Sequence, residues 1–113
     1  MTEKPLRVGV VGVGYLGSIH ARIYQKMANV DLVAVMDTNA EQGSQVAREC
    51  DCSFVQDPDS LLDIVDAVSI VVPTSLHREI AEPFLDKRIP VLLEKPVAHT
   101  VEDARAIVYL AKQ

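Results

Sequence analysis

Short apolar runs alternate along this chain with longer stretches whose apolar residues recur at helical spacing. Arg7–Val11 is the first run, rich in β-branched residues and read as a strand. Leu16, Ile19, His20, Ile23, Tyr24 and Met27 follow every three or four residues and predict a helix with that face toward the core. Leu32–Met36 predicts a second strand. Ala40–Cys50 predicts a polar-faced helix with Asn39 as its N-cap. Ser53–Val55 is a short third strand, and Asp57-Pro58-Asp59 marks a turn leading into a helical turn over Ser60–Ile64. Val68–Val72 is the most strand-like run, and Pro73 ends it. A helix over Leu76–Lys87 contains Pro83, which predicts a kink or a late start. Val91–Leu93 predicts a fifth strand. Thr100 and Asp103 form a capping-box pattern for a last helix that sets Val101, Ala104, Val108 and Ala111 on one face.

Strand–helix alternation of this kind implies a parallel sheet joined by right-handed crossovers. The 113 residues suit one domain, 1–113, without internal repeats or linkers. The expected fold is α/β, a doubly wound Rossmann-type sheet with strand order 3-2-1-4-5. Composition agrees: 49% of residues are hydrophobic but only 4% aromatic, so Val, Ile, Leu and Ala make the core. The net charge of −5 argues against nucleic acid as a partner, because an acidic domain gains nothing from counterion release. No apolar run reaches the roughly 20 residues needed to cross a bilayer, so no membrane partner is expected. The N-terminus lacks a signal-peptide pattern, which makes the cytoplasm the expected compartment. Cys50 and Cys52 are read as reduced thiols at a helix end, too few for a closed zinc site, and no metal site is expected.

The most informative local motif is Gly12-Val13-Gly14-Tyr15-Leu16-Gly17, a G-x-G-x-x-G run between a predicted strand and a predicted helix. Gly12 suits the tight turn, Gly14 lets a pyrophosphate approach the backbone, and Gly17 lets the helix pack on the strand. Free N–H groups at the helix start, near Tyr15 and Leu16, would face the anion. Asp37 lies 20 residues after Gly17, at the end of the second strand, where a carboxylate binds the adenine ribose hydroxyls. A 2′-phosphate there would meet its negative charge. Thr38 and Asn39 supply no cation, so NAD is expected in preference to NADP. The blander alternative makes Asp37 a turn residue and the glycines a structural bend.

Val72-Pro73-Thr74-Ser75-Leu76-His77 follows the fourth strand and Glu94-Lys95-Pro96 the fifth, both on the rim that carries the glycine turn. Together with the glycine motif, these segments resemble the glucose–fructose oxidoreductase / inositol dehydrogenase (Gfo/Idh/MocA) family from Arg7 to the last helix. The resemblance implies that the glycine turn holds the diphosphate, that Asp37 and its neighbour Thr38 hold the adenine ribose, and that Val72, Pro73, Thr74 and His77 line the dinucleotide. It implies that Glu94 contacts the nicotinamide side and that Lys95 is catalytic, reaching the nicotinamide and the substrate hydroxyl. The Lys–Pro bond is often cis in that family. Thr74 stands where the family more often has Asn.

On its own residues, Lys95 is suited to stabilise negative charge developing on a sugar oxygen. The alternative is a solvated lysine paired with Glu94. His77 has the alternative of a helix-start residue, and His20 reads as a core residue. The resemblance implies a hydride transfer between the hydroxyl of a sugar or nucleotide sugar and NAD. The Val-Pro-Thr-Ser-Leu-His wording also resembles members acting on a UDP-N-acetyl amino sugar. The family's base is a His on a second α+β domain, for which this sequence has no matching residue. The chain alone is therefore expected to bind NAD without turnover, and the full-length enzyme to be a homo-oligomer. Two other readings stay open: a stand-alone NAD-sensing module, and a methyltransferase, which also places glycines after strand one and an acid after strand two.

Overall fold

The computed structural model describes residues 4–93 and 100–112. Strands β1 (Leu6–Val11), β2 (Val30–Met36), β3 (Ser53–Val55), β4 (Ala67–Ile70) and β5 (Val91–Leu93) form one sheet in the order β3-β2-β1-β4-β5. Every pairing is parallel. Helices α1 (Tyr15–Lys26), α2 (Ala40–Glu49), α3 (His77–Asp86) and α4 (Val101–Ala111) alternate with the strands, with 3₁₀ turns at Pro58–Leu61 and Thr74–Leu76. Fold class and strand order are those the sequence pattern predicts.

Side chains on a strand alternate between faces, so a sheet covered on both sides needs apolar residues at every position. β1 shows this directly. Val10 joins Val13, Ala21, Val35, Val46, Ala47 and Cys50 on the face covered by α1 and α2. Its neighbour Val11 joins Ala34, Met36, Ile70, Ala81, Phe84 and Ile89 on the face covered by α3. β1 thus lies at the centre of both cores, and its carboxyl end is among the most completely enclosed parts of the molecule.

α1 corrects the sequence reading. Its buried residues are Gly17, Ser18 and Ala21, while Leu16, Ile23 and Met27 are exposed. The helix lies so close to the sheet that only small residues fit beneath it, and the larger apolar residues are turned aside. His20, read as a core residue, is half-buried and meets the Tyr24 ring edge-on, with centroids 6.4 Å apart. The Tyr24 hydroxyl hydrogen-bonds the fully buried Ser69 hydroxyl on β4.

The later elements need smaller corrections. β4 stops at Ile70, short of the predicted Val72, although the Val71 N–H still donates to the Val11 carbonyl at 2.8 Å. α3 starts at His77 and runs through Pro83. Proline brings no N–H, and the residue whose carbonyl loses its helical donor, Glu79, is exposed to solvent. The predicted cap of α4 is present, with Asp103 N–H donating to Thr100 Oγ1 at 3.0 Å. The apolar face read on that helix is exposed at Val101 and Val108, whereas Ile107 is buried.

Ion pairs tie neighbouring helices together. Arg22 reaches Glu49 at 2.7 Å, from α1 to α2, and Arg78 bridges Glu82 at 2.7 Å and Asp103 at 2.8 Å, from α3 to α4. The hydrogen bond to Asp103 is the first cause holding the Arg78 guanidinium above its ordinary pKa. Such exposed pairs contribute little to stability.

Phe84 is fully buried, so Phe84→Ala is expected to destabilise the fold by about 3–5 kcal/mol, measured by urea denaturation. Cys50 and Cys52 are free thiols, as expected. Burial, followed by the nearby Cys50 and Asp51, pushes the Cys52 thiol from 9.0 up to about 11. A raised thiol pKa favours the protonated folded form, so its stabilising contribution is complete below pH 9 and is lost as pH rises toward 11. Thermal melts from pH 7 to 10.5 should fall more steeply for the natural chain than for Cys52→Ala.

Candidate functional site

The glycine turn connects β1 to α1, and its glycines meet different surroundings. Gly12 has φ +88°, in the left-handed region, and a Cβ there would lie 2.2 Å from the Val71 carbonyl oxygen. A Cβ on Gly17 would lie 1.7 Å from the Gly12 carbonyl oxygen. A Cβ on Gly14 would meet nothing within 4 Å. Two of the glycines therefore close backbone on backbone, and the third opens onto free space, the arrangement a bound diphosphate requires.

Gly14 is also the N-cap of α1, and it brings no side chain to accept the first amides of the helix. The first turn holds no acidic residue, and the first intrahelical bond is from Ser18 N–H to the Gly14 carbonyl, 2.9 Å. The amides of Tyr15, Leu16 and Gly17 precede that bond at the positive end of the helix dipole. α2 is built differently: Asn39 Oδ1 accepts from Gln42 N–H at 3.1 Å, and Glu41 sits in the first turn. α2 neutralises its own start, whereas α1 leaves donors for an anion.

Asp37 stands just beyond β2, half-buried, and is tied to the glycine turn. Its Oδ2 accepts the Val13 N–H at 2.9 Å and its Oδ1 accepts the Asn39 N–H at 2.8 Å. On the other side of the same residue, Gln42 Nε2 donates to the Val13 carbonyl at 3.0 Å. Thr38, next to Asp37, is exposed.

A cleft of about 300 Å³ separates the glycine turn from the segment after β4. Gly14, Tyr15, Leu16 and Gly17 form one wall, and Val71, Val72, Pro73, Thr74 and His77 form the other. His77 is only 1% exposed and its Nε2 lies 3.2 Å from the Val72 carbonyl, so it braces the second wall from behind more than it meets the cleft. The sequence-predicted residues thus fall into three places. Most converge on this cleft. Gly12 and Val13 lie buried behind the first wall, and Asp37 and Thr38 stand at the end of β2, beside the turn. Glu94, Lys95 and the Lys95–Pro96 bond lie outside the described residues. Among the described residues, no group of three or more His, Cys, Asp or Glu side chains is arranged to hold a metal ion. Among them, too, no helix is long and apolar enough to cross a membrane.

Residues 6–113 match the family profile described as an oxidoreductase family with an NAD-binding Rossmann fold. The chain belongs to the Gfo/Idh/MocA family. It is 42% identical over 108 residues to the UDP-N-acetylglucosamine 3-dehydrogenase of Acidithiobacillus ferrooxidans, covering 96% of this chain and 34% of that protein. A crystal structure of that enzyme superposes with a TM-score of 0.90, covering 97% of this chain and 36% of the other. Inositol 2-dehydrogenase 4 of Saccharopolyspora erythraea is 37% identical over 101 residues, covering 86% of this chain and 30% of that protein. The structure of GenD2 from gentamicin A biosynthesis, in complex with NAD, superposes at 29% identity with a TM-score of 0.91, covering 99% of this chain and 33% of the other. The chain spans about a third of the length of the curated relatives it matches. As a Gfo/Idh/MocA member it is an NAD-binding oxidoreductase domain, the coarse assignment the sequence motifs imply. Nothing among these relatives supports a stand-alone sensing module.

Gln42 has no counterpart in the sequence reading. A neutral amide in the first turn of a helix carries no spacing signal. Only the fold, which sets that turn beside the glycine loop, shows its contact.

The glycine geometry separates two substitutions. Gly17→Ala should destabilise the domain by about 3 kcal/mol or more, because backbone must shift to admit the methyl. Gly14→Ala should cost only about 1 kcal/mol, the preference of an N-cap for Gly over Ala, since its methyl enters open space. Parallel urea titrations measure both, and equal losses would contradict the geometry described.

Proposed function

We propose that this chain holds NAD, in preference to NADP, along the carboxyl-terminal rim of its sheet. In this reading it is the dinucleotide-binding part of an enzyme that moves a hydride between a nicotinamide and a hydroxyl of a sugar or nucleotide sugar. The observation that carries the reading is the open space over Gly14, set between two backbone contacts too tight for any side chain. The cleft beside it has two walls built from the two segments the sequence singles out.

Each residue then has a task. The Gly12–Gly17 turn receives the diphosphate with the unfilled amides of the α1 start. Asp37 accepts hydrogen bonds from the adenine ribose hydroxyls, and its negative charge opposes a 2′-phosphate. Thr38 flanks the ribose without adding a cation. Val72, Pro73 and Thr74 form the facing wall, and His77 holds that wall in shape. NAD, when bound, supplies the acceptor for the hydride. Glu94 and Lys95 are assigned from the sequence: Glu94 to the nicotinamide side, and Lys95 to the sugar oxygen, where an ammonium offsets developing negative charge.

The relatives support a substrate class. A UDP-N-acetylglucosamine 3-dehydrogenase at 42% identity, and inositol dehydrogenases alongside it, support a polyhydroxylated ring as substrate, with a UDP-N-acetyl amino sugar as the finer choice. Those relatives are about three times as long, which supports a base and sugar contacts supplied by polypeptide beyond this third. The chain by itself is then a binder without turnover.

Asp37→Ala tests the ribose assignment. Because Asp37 also holds the Val13 amide, some affinity for either dinucleotide will be lost. The decisive quantity is the NAD-to-NADP affinity ratio by calorimetric titration, expected to fall on the order of 10–100-fold. An unchanged ratio would remove Asp37 from the ribose site.

A further inference from the structure

Gln42 reaches the glycine turn from α2 and holds it with a side-chain hydrogen bond. The Val13 residue is held at both backbone atoms: its N–H by Asp37 Oδ2 at 2.9 Å, and its carbonyl by Gln42 Nε2 at 3.0 Å. Its side chain is fully buried in the core formed with Val10, Val35 and Val46. Side chain, amide and carbonyl are thus each fixed from a different direction.

The consequence lies one peptide further on. A trans peptide is planar and sets its C=O and N–H on opposite sides. Drawing the Val13 carbonyl toward α2 therefore turns the Gly14 N–H away from α2. That is the side on which Gly14 lines the cleft, across from the segment after β4. Gly14 has no side chain to resist rotation of this peptide, and nothing stands within 4 Å of its Cβ direction. Of the three glycines of the turn, Gly14 is the one whose Cβ direction is open, and Gln42 supplies a restraint on the peptide that precedes it.

The first turn of α2 is itself well anchored. Asn39 Oδ1 caps the Gln42 N–H at 3.1 Å. Gly43 packs against the Phe54 ring and the Asp37 Cβ; a Cβ on Gly43 would stand 2.2 Å from the Phe54 ring. Gln42 is thereby delivered to Val13 by a rigid element, not by a mobile loop.

From this geometry we infer that Gln42 is a positioning residue for the diphosphate-binding turn, acting through the Val13 carbonyl to aim the Gly14 amide. The inference rests on the dinucleotide reading above. It assigns Gln42 no contact with the cofactor. A same-length replacement without a donor should weaken ligands that carry a diphosphate and spare those that do not.

Gln42→Met, with the same reach and no hydrogen to donate, is the test on the 113-residue chain. Backbone amide NMR follows titrations with NADH, ADP and adenosine. The affinity for NADH and ADP should fall about fivefold, the size set by one net hydrogen bond. Adenosine affinity should stay within about twofold, and the Gly14 amide resonance of the ligand-free chain should move. A merely structural loosening would weaken all three ligands together, and that outcome overturns the inference. So does an unchanged ADP affinity in Gln42→Met while the natural chain binds normally, which leaves the cofactor reading standing. Failure of the natural chain to bind NADH removes the cofactor reading and the inference with it.

Discussion

The structure depends on a place where three stretches of backbone meet with no room for a methyl group between them. The start of α1 presses Gly17 on the Gly12 carbonyl, and Gly12 presses on the Val71 carbonyl beyond β4. This contact fixes how closely α1 approaches the sheet. The approach in turn explains why Gly17, Ser18 and Ala21 are the buried residues of the helix. It also draws the segment after β4 up to the glycine turn, which brings the two walls of the cleft face to face. Core packing and site geometry are here a single constraint, because the residues at the contact take part in both.

A second constraint joins the ends of β1 and β2. A carboxylate at the end of the second strand is the expected partner of a ribose, yet in this chain the Asp37 carboxylate is already part of the scaffold through the Val13 and Asn39 amides. A carboxylate oxygen has more than one acceptor site, so the scaffold role leaves capacity for hydroxyl donors. In the proposed role the carboxylate would be held in place before the ribose arrives, which would lower the ordering cost of binding.

Much of this was legible in the sequence, and the reasons differ by element. The strands were legible because a sheet covered on both faces demands continuous β-branched runs, and Arg7–Val11 and Leu32–Met36 supply them. The glycine turn and Asp37 were legible because their spacing only makes sense across a strand–turn–helix–strand unit. The orientation of α1 was not, since periodicity follows the large apolar residues while close packing selects the small ones. Nor was the burial of His77, which depends on the tertiary course of the chain around Val72. Gln42 was silent because its contact spans from one βα unit to the next, and a lone amide does not announce its partner. The Glu94-Lys95-Pro96 triplet remains a sequence-level assignment.

Leu16 belongs to two surfaces at once. It forms part of one cleft wall, and it begins the exposed apolar stripe that continues through Ile23 and Met27 along α1. One side chain thus serves both surfaces, so a change at Leu16 alters the cleft wall and the outer face of α1 together.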